Sequence, residues 1–347
     1  MTELNTGYSP LLGLDYRFET YLNRRKAQLS GHMLGNGVPD YAYKMDGEYR
    51  KKLDSIPKVY DTAKKICTTI VSREMQTANL SYLAVGPEQF PEIYKIACDC
   101  AKKLGIAIPN IYIRQESVLN ACAYASDDVE PFIVITEFAL ERLSLGELQA
   151  LIGHECGHVQ NYHSTYSVLT QLLTTIGVQS TSMVNRLLTA ILSTGVQLTL
   201  KMWSRAAEVT ADRAAMICCD NIEDAYNLNK KLLYGGVKVE DKITTELDIE
   251  SLQKQLNVSY DSTVRYLELN ATHPATIKRI LAEMEFAECE IFYQWRPDLK
   301  KHNRIIRTRE ETDSRCKKFI DVTSKDAGMI VGKRRSEKRS ASDKADA

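Results

Sequence analysis

Residues 148–163, LQALIGHECGHVQNYH, decide how the rest of this chain is read. Leu148, Leu151, Ile152 and Val159 recur at helical spacing and give the stretch one side for a core. Ser144-Leu145-Gly146-Glu147 precedes it as a capping box: the serine accepts from the amide three residues on, and Glu147 reaches back to the cap amide. On such a helix His154 and His158 are about 40° apart around the axis, on one face and one turn apart, so both imidazoles can reach one zinc ion. Glu155 lies about 100° further round. It is out of the coordination plane but within reach of a water on the ion, where a general base for metal-assisted hydrolysis belongs. The competing reading is a polar helix with two exposed histidines. Against it stand the capping box, the apolar residues before the motif, and Gly153 and Gly157. Those glycines weaken a helix and imply that something approaches it closely.

A catalytic zinc takes three protein ligands and keeps a fourth position open. The candidate third ligand is Glu208, 50 residues beyond His158, in Ser204-Arg205-Ala206-Ala207-Glu208-Val209-Thr210-Ala211-Asp212. Ala206, Ala207, Ala211, Ala214 and Ala215 make this a slim helix able to pack close to another. Asp212 shares the face of Glu208 and suits an acceptor for the outer nitrogen of a ligand histidine. Taken alone, the two acids also fit a surface pair with Arg205 and Arg213 as partners. His163 falls off the shared face of the two histidines and reads as solvent-facing or as a group behind the ligands. Cys156 sits on a different face, and Cys218 and Cys219 read as packing residues.

Outward from the motif, the chain is helical with one β-rich interval. Val59, Ala63, Ile66, Ile70 and Val71 predict a helix from Pro57 to about Gln76, and PEIYKIACDCAKKL predicts another over 91–104, stopped by Gly105. Ile111-Tyr112-Ile113, Asn120 to Tyr124 and PFIVIT at 131–136 read as three short strands of a small, partly antiparallel sheet. Helices are predicted over 203–219, 223–234 and 274–293. Residues 1 to about 55 read as polar and irregular, with a loop at 31–37. Residues 164–200 carry a single formal charge, Arg186, among many Ser, Thr and Gln. They read as a helical hairpin packed on the catalytic domain, with peripheral membrane association as the alternative, because the polar residues make a poor span and Leu187–Leu200 is short for one.

Taken together, these residues resemble the HtpX-like and CAAX-prenyl-protease-like gluzincins, of which the minigluzincins are a minimal form. The resemblance covers roughly residues 57–285 and rests on NACAY at 120–124, HECGH at 154–158, SRAAEVTAD at 204–212 and THPATIKRI at 272–280. It implies an α+β, mainly helical zincin-like metallopeptidase domain with its small sheet beside the HExxH helix. It implies one zinc per chain on His154, His158 and Glu208, with Glu155 as general base and Asp212 behind the ligands. It also implies that Asn120, Ala121, Cys122 and Ala123 form an edge strand that pairs with an extended protein or peptide substrate. Cys122 stands where an aromatic such as Phe is common, a departure that touches the strand's packing and not the metal. His273 and Arg279 are carried over as groups near the oxyanion, although His273 fits equally as the neighbour of a helix N-cap. The implied function is that of a zinc-dependent endopeptidase, a hydrolase using a water on the metal and a glutamate base.

Composition narrows the alternatives. Lys+Arg and Asp+Glu are both 45, so the formal net charge is zero, and no nucleic-acid partner is expected despite Arg24-Arg25-Lys26 and a basic tail. Nine scattered cysteines without a CxxC pair speak against a disulfide framework, and the N-terminus lacks a basic segment followed by an apolar run, so a cytoplasmic location is expected, with membrane association as the alternative. The organisation read from the sequence is an N-terminal extension (1–55), a peptidase domain (56–293, with the insert at 164–200), a C-terminal extension (294–331) and a disordered basic tail (332–347).

Overall fold

A computed structural model describes residues 8–9, 14–15, 32–34, 37–175, 194–234, 250–251, 254, 262–299 and 306–322. The tail from 332, the middle of the insert (176–193) and most of the chain before 37 lie outside the described residues.

PFIVIT forms the centre of a four-stranded sheet because all of its strand residues are buried on both faces. The strands are β1 (Leu83–Val85), β2 (Asn110–Arg114), β3 (Ala121–Tyr124) and β4 (Phe132–Thr136), in the order β1-β2-β4-β3. β1 and β2 are antiparallel, β2 and β4 parallel, and β4 and β3 antiparallel, which leaves β3 on one edge. Ile111, Ile113, Ile133 and Ile135 face a core shared with helices α3 (Pro91–Leu104) and α5 (Leu145–Gln160). Tyr112, Phe132 and Val134 face the opposite way, onto helix α2 (Val59–Ser81) and Val168 of helix α6 (Ser164–Thr175). The short α4 (Glu137–Arg142) connects β4 to α5 and is capped by Thr136, whose hydroxyl accepts from the Ala139 amide.

The capping box is present in both directions. Glu147 N–H donates to Ser144 Oγ at 3.2 Å, and Ser144 N–H donates to the Glu147 carboxylate at 2.7 Å. Helix α5 is buried along most of its length because helix α7 (Thr194–Cys218) lies against it. The two glycines of the motif make that contact possible. A Cβ on Gly153 would sit 2.6 Å from the Cys218 Cβ, and one on Gly157 2.6 Å from the Ala214 Cβ and 3.1 Å from the Ala211 Cα. The alanine-rich helix and the glycines of the HECGH helix are thus two halves of one close packing.

A second core lies on the far side of α7. Tyr43, Met45 and Leu53, with Trp203, Ala206, Val209, Ile277, Leu281, Cys316 and Ile320, join α7 to α1 (Lys44–Asp54), α10 (Thr276–Phe286) and α12 (Arg309–Ile320). Helices α8 (Ile222–Tyr234) and α9 (Ser262–Asn270) pack around the same pair, and all nine cysteines are free thiols.

Three sequence expectations are corrected. Residues 44–54 are helical rather than irregular. Met45, Tyr49 and Leu53 are one turn apart and buried, but seven charged neighbours between 44 and 54 mask their period. The helix expected over 274–293 is two, α10 and α11 (Glu290–Trp295), because Cys289 is extended and the amide and carbonyl of Arg307 bond the chain on either side of it. Helix α7 begins at Thr194 rather than 203, so the end of the insert is continuous with the helix that carries Glu208. Among the described residues no helix is long and apolar enough to cross a membrane.

Gly157→Ala offers a test of the close packing. Alanine favours an isolated helix by about 1 kcal/mol over glycine, yet overpacking against Ala214 and the Ala211 backbone should cost about 1–3 kcal/mol. The expected outcome is a lower denaturation midpoint for Gly157→Ala and for Gly153→Ala; unchanged midpoints would show that the two helices do not meet so tightly.

Candidate metal centre

Helix α5 brings His154 and His158 to one face, and α7 brings Glu208 against them. His154 Nε2 and His158 Nε2 are 3.1 Å apart, and each lies 3.6 Å from an oxygen of Glu208, Oε2 for the first and Oε1 for the second. One donor atom from each of these three side chains fits within 4.8 Å of the others, so the group could hold a metal ion.

Burial would penalise each of these polar groups, and specific partners decide their charge. Asp212, one turn beyond Glu208, receives His154 Nδ1 at 3.0 Å and is gripped by Arg279, whose Nε and Nη2 donate at 2.8 and 2.6 Å. Burial disfavours a charged His154, but the hydrogen bond and charge of Asp212 outweigh it and hold the imidazole above its ordinary pKa. Glu208 is held well below the carboxylate range despite burial, by His273 (Nδ1 to Oε2, 3.1 Å) and by Arg279 (Nη1 to Oε2, 3.5 Å). Burial keeps His158 neutral, and His154 and His163 reinforce it. Burial also raises the Glu155 carboxyl to about 7, with His154 opposing and Glu208 adding to the shift.

The surface ion pairs that competed for Glu208 and Asp212 do not form. Arg213 pairs with Asp313 on α12, and Arg205 donates to the carbonyls of Glu268, Leu269 and Ala271. His163 is not solvent-facing. It is 1 % exposed, its Nδ1 lies 2.7 Å from Nδ1 of His158, and its Nε2 lies 2.9 Å from Asp46 on α1. Thr210 Oγ1 donates to the same oxygen of Asp46 at 2.8 Å. Asp46 is a residue that sequence reasoning missed, and the signal that could have found it is the masked helical period of α1.

The three donors open into a cleft of about 520 Å³. Leu151, Leu228 and Leu232 line part of it, Ser164, Ser167, Thr170, Gln171 and Ser204 another part, and Asn120 to Ala123 run along it. The Thr136 amide donates to the Asn120 carbonyl. By the alternation of an antiparallel ladder, Cys122 and Tyr124 therefore bond β4, while Ala121 and Ala123 turn their backbone groups to the free edge. Ser164 already occupies one end of that edge: its hydroxyl accepts from the Ala125 amide at 3.0 Å and donates to the Ala123 carbonyl at 3.4 Å. Cys122 lines the cleft with Glu155, and burial, with the Glu155 charge, pushes its thiol up to about 12. His273 is exposed at the cleft, whereas Arg279 is buried.

The model of peptidase family M48 matches residues 87–285, more than half of the chain. The chloroplastic plastoglobule-localized metallopeptidase 48 of Arabidopsis thaliana is 25% identical over 270 residues, covering 76% of each protein. A protease HtpX homolog of Bifidobacterium longum is 24% identical over 237 residues, 62% of this chain and 77% of that protein. Another from Thermoplasma volcanium is 37% identical over 90 residues, 26% of this chain and 29% of that protein. No solved structure matches.

Arg279→Met would strip Asp212 of two donors while leaving its carboxylate buried. Breaking a buried pair from one side costs about 3–5 kcal/mol, so chemical denaturation should show a loss of that order. Asp212→Asn, which keeps an acceptor for His154, should cost less. An Arg279→Met protein as stable as the wild type would show that the grip on Asp212 is not formed.

Proposed function

The chain belongs to peptidase family M48, and on that premise we propose that it is a zinc-dependent endopeptidase acting on extended segments of proteins or peptides. The observation that carries the reading is the trio His154, His158 and Glu208, which bring one donor atom each to within 4.8 Å of one another. Two imidazoles and one glutamate are a ligand set of catalytic zinc with a fourth position open. Charge fits as well. Glu208 and Asp212 are both buried and share the guanidinium of Arg279, so the carboxylates there outnumber the one permanent cation that touches them both. Zinc in that place supplies Lewis acidity toward water and toward a carbonyl oxygen.

The protein's own groups do the rest. Glu155 takes the proton of the attacking water and returns it to the leaving amine. A carboxyl raised toward neutrality serves both steps, since the best catalytic pKa lies near the working pH. Asp212 accepts the Nδ1 proton of His154 and so aims its Nε2 at the ion, while Arg279 holds Asp212 in place. The four contacts of Arg279 go to three residues, Asp212, Glu208 and His154, so its role in this reading is positioning. His273, exposed at the cleft with its Nδ1 on Glu208, offers its other ring nitrogen to the oxyanion of the tetrahedral stage. The free edge of β3, with Ala121 at its centre, pairs with the substrate backbone beside Glu155.

Glu155→Gln is expected to retain stoichiometric zinc and lose peptide cleavage by several orders of magnitude, measured by metal analysis and digestion of a peptide library. His154→Ala is expected to lose the ion as well. Substantial cleavage by Glu155→Gln would sink the base assignment, and full zinc occupancy in His154→Ala the ligand set.

A further inference from the structure

The two ligand histidines are backed differently. His154 leans on a carboxylate within the span matched by the family model, whereas His158 leans on a second histidine and, through it, on a residue outside that span. We infer that His163 and Asp46 are positioning residues of the metal centre, and that α1 thereby completes the site from a part of the chain before the matched span. This rests on His158 being a metal ligand.

The geometry leaves one assignment of protons in the neutral chain. Nδ1 of His158 faces Nδ1 of His163 at 2.7 Å, so one of them must donate and the other accept. His163 Nε2 lies 2.9 Å from the Asp46 carboxylate, which only accepts, so this nitrogen carries the proton. The neutral His163 ring then has a bare Nδ1, and His158 must donate to it. Nε2 of His158 is left as a lone pair, and it is the nitrogen that faces His154 and Glu208. Asp46 thus sets the tautomer of His158 through His163, without touching the site itself.

The relay is built rather than incidental. Asp46 is 4 % exposed, Thr210 donates to the oxygen that receives His163, and the ring of His163 stands edge-on to Trp203 at 5.6 Å between centroids. The Thr210 hydroxyl also accepts the Tyr43 amide at the entry of α1. Further along, Arg50 donates to the Asn161 carbonyl and Tyr41 to Gln160, so α1 and the turn before it are fastened to the end of the ligand helix at several points. A segment that merely packed beside the domain would have no need of an acid aimed at the back of a ligand.

The full-length chain and its Asp46→Asn, His163→Asn and His163→Leu variants are compared by zinc competition against a chromophoric chelator and by the absorption spectrum of the cobalt-substituted protein. Folding of each metal-free protein is checked by circular dichroism and its thermal midpoint. Loss of a partner behind a ligand typically weakens metal binding by roughly ten- to hundredfold; a loss of that size and an altered cobalt spectrum are expected for Asp46→Asn and His163→Leu. His163→Asn, whose carboxamide oxygen can replace the bare Nδ1, should bind more tightly than His163→Leu. Variants that fold and bind zinc with wild-type affinity, or lose only thermal stability, overturn the inference. Should those variants not fold, Thr210→Ala removes a donor to Asp46 and keeps both histidines. A loss of about threefold or more in zinc affinity supports the relay, and unchanged affinity overturns it. A wild-type chain that takes up no zinc overturns both this inference and the metal reading beneath it.

Discussion

The distance between helices α5 and α7 is the constraint from which the metal centre follows. The two histidines belong to one helix and Glu208 to the other, so the three donors converge only if the helices approach closely along the turns that carry them. Gly153 and Gly157 remove the side chains that would prevent this, and Ala211, Ala214 and Ala215 answer them from the other side. Glycine in a helix costs about 1 kcal/mol relative to alanine. Here that cost is set against the packing of α5 into the main core through Leu148, Leu151 and Ile152, and against a fully formed capping box at its start. Sheet and ligand helix are joined through the same core, so the position of the β3 edge relative to Glu155 is fixed by the same packing.

Close approach creates an electrostatic problem that the neighbouring elements solve. Glu208 and Asp212 are one turn apart on α7 and both buried, and α10 supplies the counter-charge in Arg279. The segment before α10 supplies His273 to the same carboxylate. The outcome is a set of carboxyl groups with divided tasks. Glu208 and Asp212 are held ionised by named cations, while Glu155, with burial as its largest influence, is raised toward neutrality. Groups of one chemical type are thereby held in different charge states by what surrounds them, which is what the proposed division into ligand, support and base requires.

The features that could be read from the sequence are those encoded over a few turns of chain. The capping box, the histidine pair, the alanine helix with its two acids and the apolar run of β4 each carry their signal within about 16 residues, and each is found in place. Helix α3 matches its reading from Pro91 to Leu104 because a proline and a glycine bound it. Features that depend on distant partners were not legible. Asp46 acquires its role only when His163 and Thr210 reach it across more than 100 residues of chain. The break between α10 and α11 exists because Arg307 pairs with the backbone there. Helix α1 is hidden by its own surface: its buried Met45, Tyr49 and Leu53 are interleaved with charges that pull any average toward loop.

The insert shows how one compositional fact can serve two readings. Four of the polar residues that weigh against residues 164–200 as a membrane span belong to the wall of the cleft. Helix α6 presents Ser164, Ser167, Thr170 and Gln171 there, and Leu151, Leu228 and Leu232 also line it. At the same time Tyr166 and Leu169 of α6 enter the second core and Val168 enters the core behind the sheet. The start of the insert is therefore not an appendage to a finished domain. Its polar face borders the site, its apolar face closes two cores, and its first residue, Ser164, occupies one end of the β3 edge. With the Ala123 carbonyl and the Ala125 amide already bonded to that serine, the backbone groups at the Ala121 end are the ones left for pairing. The free edge beside the cleft is therefore short, and the cleft is lined by polar side chains of α6 together with the aliphatic Leu151, Leu228 and Leu232.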